Sequence, residues 1–183
     1  SLQQILDLPR QKNRPFITVI ITDGKPTTGV TVSTDIIGRF TKMNDGAVSI
    51  FGYGTHPRAN TYLLDLLTYC NRGETLICRN ARWNIDKEID DFATGLAQPV
   101  MHDIRFVFDS ASGSEVYPKQ NMNLYADRTL DLYGSCAGNV KELVVHLRGR
   151  AAGEDYDAII NLDIAKHATP GDAKLRERWA WQR

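Results

Sequence analysis

Apolar residues at Leu2, Ile5, Leu6 and Leu8 keep the spacing of one helical face. The chain is therefore expected to open on the last turns of an amphipathic helix cut at its start. Pro9, Asn13 and Pro15 end that helix. The run Phe16-Ile17-Thr18-Val19-Ile20-Ile21 follows, unalternating and rich in β-branched residues, and it predicts a strand buried on both faces. Ser33 or Thr34 is placed to cap a helix through Ile36, Ile37 and Phe40 that Asn44-Asp45-Gly46 closes. Val48 to Tyr53 predicts a second buried strand, stopped by Gly54. Asn60 then opens a helix whose Leu63, Leu64, Leu66, Leu67 and Tyr69 end at Gly73. Thr75 to Cys78 is a candidate third strand, and Asn84 to Leu96 is amphipathic through Ile85, Ile89, Phe92 and Leu96.

Three strands alternating with helices predict an α/β unit with a parallel sheet over residues 1–98. After Pro99 the pattern changes. Ile104 to Phe108, Leu130 to Tyr133, Glu142 to Leu147 and Tyr156 to Leu162 are strand-like, several of them alternating, with Gly, Asn and Asp clusters between. Such spacing predicts a small antiparallel β-sandwich over residues 99–183. Asp172 to Arg183 predicts a C-terminal helix, with Trp179 and Trp181 expected to pack onto the sandwich in preference to forming a partner patch.

The composition is that of an ordinary globular protein: 183 residues, 42% hydrophobic and 24% charged. Its 22 basic residues balance 22 acidic ones, and no basic stripe runs along it, which argues against nucleic acid or an anionic membrane surface as partner. The longest apolar run is far shorter than the roughly 20 residues of a membrane span. Residues 1–15 also lack the apolar stretch of a secretory signal. Cys70, Cys78 and Cys136 contain no CxxC pair and are expected to be free thiols, although Cys70 and Cys78 could pair.

In an open parallel sheet, ligands sit beyond the carboxyl ends of the strands. Two loops reach that edge, Thr22-Asp23-Gly24-Lys25-Pro26 and Gly52-Tyr53-Gly54-Thr55-His56. On residue chemistry alone, an isolated Asp at such a place serves a turn or a helix cap more often than a metal.

The segment Phe16 to Thr27, with its Thr22-Asp23-Gly24, followed by Ile50-Phe51-Gly52-Tyr53-Gly54 and a Leu-rich helix, resembles the second half of a von Willebrand factor type A domain. Asp90-Asp91-Phe92, Gln98-Pro99-Val100, Val116-Tyr117-Pro118, Asn123-Leu124-Tyr125, Leu132-Tyr133-Gly134 and Arg178-Trp179-Ala180 extend the resemblance. They are similar to the region that follows the A domain in inter-alpha-trypsin inhibitor heavy chains and their bacterial relatives. The resemblance implies a non-enzymatic adhesion protein, extracellular or at the cell surface or envelope. It would bind a protein or matrix ligand through Mg²⁺, Mn²⁺ or Ca²⁺, and Asp23 would be one metal ligand.

The Asp-x-Ser-x-Ser element that supplies most ligands in that family is absent here; Asp109 to Ser114 approximates it but carries Ala111 and Gly113 where the serines belong. The expectation is thus half of a doubly wound sheet, with three strands and most of the metal site upstream and no metal held by these residues alone. A strand edge left open in this way predicts self-association.

Two readings from other classes stand beside this one. A small α/β hydrolase or nucleotide-handling enzyme would place Asp23, Thr55 and His56 in a pocket, whereas in a purely structural module Asp23 would only cap a helix. No P-loop supports the nucleotide reading, because Val19 and Pro26 occupy its required Gly and Ser/Thr positions. Gly52-x-Gly54 also lacks the third Gly of a dinucleotide fingerprint. His56, His102, His146 and His167 are scattered, with His146 expected on a surface, and the pairs Asp90-Asp91 and Glu154-Asp155 read as solvated charges.

Overall fold

In a computed structural model of the chain, the β-branched run after Phe16 is strand β1 (Ile17–Thr22). It belongs to a unit comprising Ser1–Pro99 and Tyr125–Asp127; Val100–Leu124 and Arg128–Arg183 form a second unit. Residues 2–11, 14–78, 85–109, 115–126, 128–172 and 174–182 are described. Asn84 and the Ser110 to Ser114 part of the Asp109 to Ser114 run therefore lie outside the described residues.

The first unit runs α1 (Gln3–Leu6), β1, α2 (Ser33–Asn44), β2 (Ser49–Gly54), α3 (Thr61–Cys70), β3 (Thr75–Ile77) and α4 (Ile85–Leu96). The strands are parallel, in the order β1-β2-β3. Every residue of β2 is buried because it is the central strand and both of its faces are covered. Alternation divides its side chains between those faces. Ile50 packs with Val48, Ile37 and Phe40 of α2, and Leu63 and Leu67 of α3. On the opposite face Phe51 meets the rings of Phe92 on α4 and Tyr125 edge-on, each at 6.1 Å. The Tyr53 hydroxyl donates to Glu88 at 2.9 Å. Burial, then Cys78 and Glu88, raise the Tyr53 phenol above the ordinary tyrosine range.

β1 departs from its expected burial. It is an edge strand, and Val19 and Ile21 on one of its faces are 37% and 53% exposed. An unalternating apolar run fits a strand buried on both sides, but its residues do not reveal whether both neighbours are present.

A buried polar knot joins the C-terminal ends of α2 and α3 to the start of β2. The Asn44 side chain donates to the Val48 carbonyl and to Asn71 Oδ1, both at 2.8 Å, and accepts the Val48 N–H at 2.8 Å. Asn71 donates to Thr41 Oγ1 and the Leu67 carbonyl, while its own carbonyl accepts from the Ile50 N–H. Gly73 passes so close to β2 that a Cβ there would lie 1.9 Å from the Ile50 carbonyl oxygen.

The chain continues with β4 (Pro99–Phe108), β5 (Glu115–Tyr117), β6 (Leu124–Tyr125), β7 (Tyr133–Ser135), β8 (Glu142–Ala151), β9 (Glu154–Asp163), α5 (Ile164–His167) and α6 (Leu175–Gln182), which belong to the second unit except for Pro99 and Tyr125. A four-stranded sheet has the order β6-β4-β8-β9, and β5 pairs antiparallel with β7 in a two-stranded ribbon. The expected sandwich is thus one sheet faced by a ribbon. β8 and β9, ten residues each, form a hairpin closed at Ala152-Gly153, both with left-handed φ as suits a two-residue hairpin turn. Trp181 is 63% exposed, against the expected core packing. The three cysteines are free, with Cys78 buried and Cys136 exposed. Among the described residues no helix is long and apolar enough to cross a membrane.

Candidate functional site

The parallel register aligns Thr22 with Gly54, so the loops leaving β1 and β2 emerge side by side at the carboxyl edge. Backbone hydrogen bonds join them. The Thr55 N–H donates to the Thr22 carbonyl at 3.1 Å and the Asn60 N–H to the Asp23 carbonyl at 2.8 Å. Gly24 has φ +68°, and a Cβ there would stand 3.0 Å from Asn60 Cβ, so a side chain at this position would be both strained and crowded.

Asn60 ties three segments together. Its Oδ1 accepts the Leu63 N–H at 3.2 Å and caps α3, while its amide donates to Ser33 Oγ at 3.3 Å in the first turn of α2. The sequence placed Ser33 or Thr34 as the cap of α2, but that cap is Val32 with no side-chain hydrogen bond. The Ser33 hydroxyl is instead drawn to a residue 27 positions away.

Asp23 is half-buried on this rim, and its Oδ1 accepts the Lys25 N–H at 3.0 Å, forming a local turn. The Thr22 hydroxyl accepts from the Gly24 N–H, and His56 Nδ1 accepts from the Arg58 N–H at 3.0 Å, which fixes the imidazole as a turn residue. Asp23, Thr22 and Ser33 thus offer one carboxylate and two hydroxyls, each already accepting a hydrogen bond from the chain. Among the described residues no group of three or more His, Cys, Asp or Glu is placed to hold a metal. The described hydrogen bonds also include no hydroxyl linked to His56 in the manner of a nucleophile and its base.

No protein-family model matches the chain, and no curated protein matches it with significance.

A second polar grouping lies on one face of the β8–β9 hairpin. Its register sets Arg148 opposite Asp157 and Arg150 opposite Asp155. Both pairs form ion pairs, at 3.2 and 3.0 Å, and His146 Nε2 also hydrogen-bonds Asp157 Oδ1. His146, then Arg148, holds the Asp157 carboxyl below the usual carboxylate range. The sequence pattern marks His146 only as a surface residue. Its partner was legible only by fixing the turn at Ala152-Gly153 and counting back along both strands. Asp90 and Asp91 are exposed on α4, as solvated charges are.

Proposed function

We propose that the first unit is the C-terminal half of a von Willebrand factor type A domain, and that the second is the β-rich region following it in inter-alpha-trypsin inhibitor heavy chain-like proteins. On this reading the protein binds a protein or matrix ligand without catalysis, outside the cell or at its surface or envelope. Asp23 contributes one carboxylate to a divalent-cation site, with Mg²⁺, Mn²⁺ or Ca²⁺ as the ion. The remaining ligands come from polypeptide outside these residues. The observation that carries the reading is the position of Asp23: a half-buried carboxylate at the carboxyl end of β1, in a Thr-Asp-Gly turn pinned to the start of α3. The ligand rule for parallel sheets supports recognition on this rim, which Lys25 to Gly29 and Gly54 to Arg58 would border.

The open edge of β1, with Val19 and Ile21 exposed beside it, supports self-association of the chain as part of the same proposal. The test of the cation site is a calorimetric titration of Mn²⁺ into the 183-residue chain and into a form extended on its N-terminal side. Binding by the extended form alone, abolished by Asp23→Ala, is expected. Tight binding by the 183 residues, or binding indifferent to Asp23→Ala, would overturn the proposal.

A further inference from the structure

We propose that the β-rich unit binds a small, neutral, apolar molecule in a cavity between its four-stranded sheet and the β5–β7 ribbon. The cavity measures about 350 Å³. Phe106, Phe108, Val145 and Ile160 line it from the sheet, and Val116 and Leu132 from the ribbon side. The pairing register explains the sheet's contribution. Phe108 stands opposite Val145, and Val145 opposite Ile160, so three strands deliver apolar side chains to one face at one level. The opposite face of the same hairpin carries His146, Arg148 and Asp157, whose ion pairs keep the charges away from the cavity.

Size and chemistry select the occupant. The pocket is open at one side and walled on the other by apolar side chains, a concave shape that shields an apolar guest from water. An engineered apolar cavity of about 150 Å³ stays dry and takes up benzene, so roughly twice that volume suits two fused rings or a medium-length alkyl chain. None of the described lining residues is charged. An ionised ligand would lose its hydration without compensation, and a neutral one would not. The polar side chains of the lining, Ser135 and Cys136, are exposed and mark the mouth, where one polar end group could be met. This proposal concerns the second unit and does not depend on the cation site.

The test is a fluorescence titration of the full chain with N-phenyl-1-naphthylamine, a neutral two-ring-system probe that brightens in apolar surroundings. Saturation at one probe per chain is expected. Val116→Trp, which sets an indole into the cavity, should weaken binding about tenfold or more. Cys136→Trp, an exposed position at the mouth, should do the same and covers the case in which the first variant does not fold. Ile159→Ser, on the opposite face of the sheet and 68% exposed in the parent, should leave binding unchanged. Saturating probe should also slow alkylation of Cys136, read by peptide mass. Absent or non-saturating binding, affinity untouched by both tryptophan variants, or an unprotected Cys136 would overturn the proposal.

Discussion

Replacing Asn44 by Ala is expected to destabilise the α/β unit by about 3 kcal/mol, since each of its three hydrogen bonds is worth about 1 kcal/mol net. The cost exceeds that of an ordinary surface change because Asn44 and Asn71 are both essentially inaccessible to water. The truncation leaves the Val48 N–H, the Val48 carbonyl and Asn71 Oδ1 without this partner in a dry site. Against a typical domain stability of about 5–15 kcal/mol, that loss is large. Urea unfolding followed by circular dichroism measures it, and hydrogen exchange at Val48 and Ile50 localises it. Asn44→Asp sharpens the test. It keeps the acceptor for the Val48 N–H but turns a carboxylate oxygen toward two other oxygens, so the introduced acid has a folded-state pKa raised above its unfolded value. Its destabilisation is present above the unfolded pKa and is relieved as pH falls, when the protonated acid can donate. A loss under about 1 kcal/mol for Asn44→Ala, or no pH dependence for Asn44→Asp, would refute the reasoning.

Three further outcomes are expected. Gly73→Ala drives a methyl into the Ile50 carbonyl and should cost about 3 kcal/mol or more, measured by the same unfolding experiment. His146→Ala should raise the Asp157 pKa toward the ordinary carboxylate range in an NMR titration of its carboxyl carbon. Because the folded pKa of Asp157 is depressed, the pair's contribution is present above the unfolded pKa and is lost as pH falls through the folded value; the variant should therefore lose less stability on acidification. Sedimentation velocity of the chain should show concentration-dependent association that Ile21→Lys suppresses, whereas a sharp monomer at every concentration would contradict the role given to the β1 edge.

The strands and helices of the first unit were largely legible because each has a strong local signal: a β-branched run for β1, a buried run for β2, Asn60 as a side-chain cap for α3. What failed was local too. Ser33 looked like a cap, but tertiary contact gave its hydroxyl to Asn60. In the second unit the alternation of β8 and β9 is legible, yet the strand-like run Leu130 to Tyr133 lies ahead of β7 (Tyr133–Ser135) and shares only Tyr133 with it. β7 contains Gly134 and Ser135, which carry little strand propensity, and it pairs instead with the three-residue β5, which sequence reading omitted. The apolar cavity was invisible for a similar reason. Its walls come from Phe106, Val116, Leu132 and Val145, which are far apart in the chain and individually ordinary apolar residues. The strand-end rule points to Asp23 from the sequence alone, while its hydrogen bond to Lys25 and the Asn60 link require the fold.

The most direct test of the cation-dependent reading is paramagnetic broadening by Mn²⁺ in amide NMR spectra of the N-terminally extended chain. The account predicts broadening centred on Thr22 to Lys25 and Gly54 to His56 that disappears with Asp23→Ala. Broadening centred elsewhere, or persisting unchanged in Asp23→Ala, would contradict it.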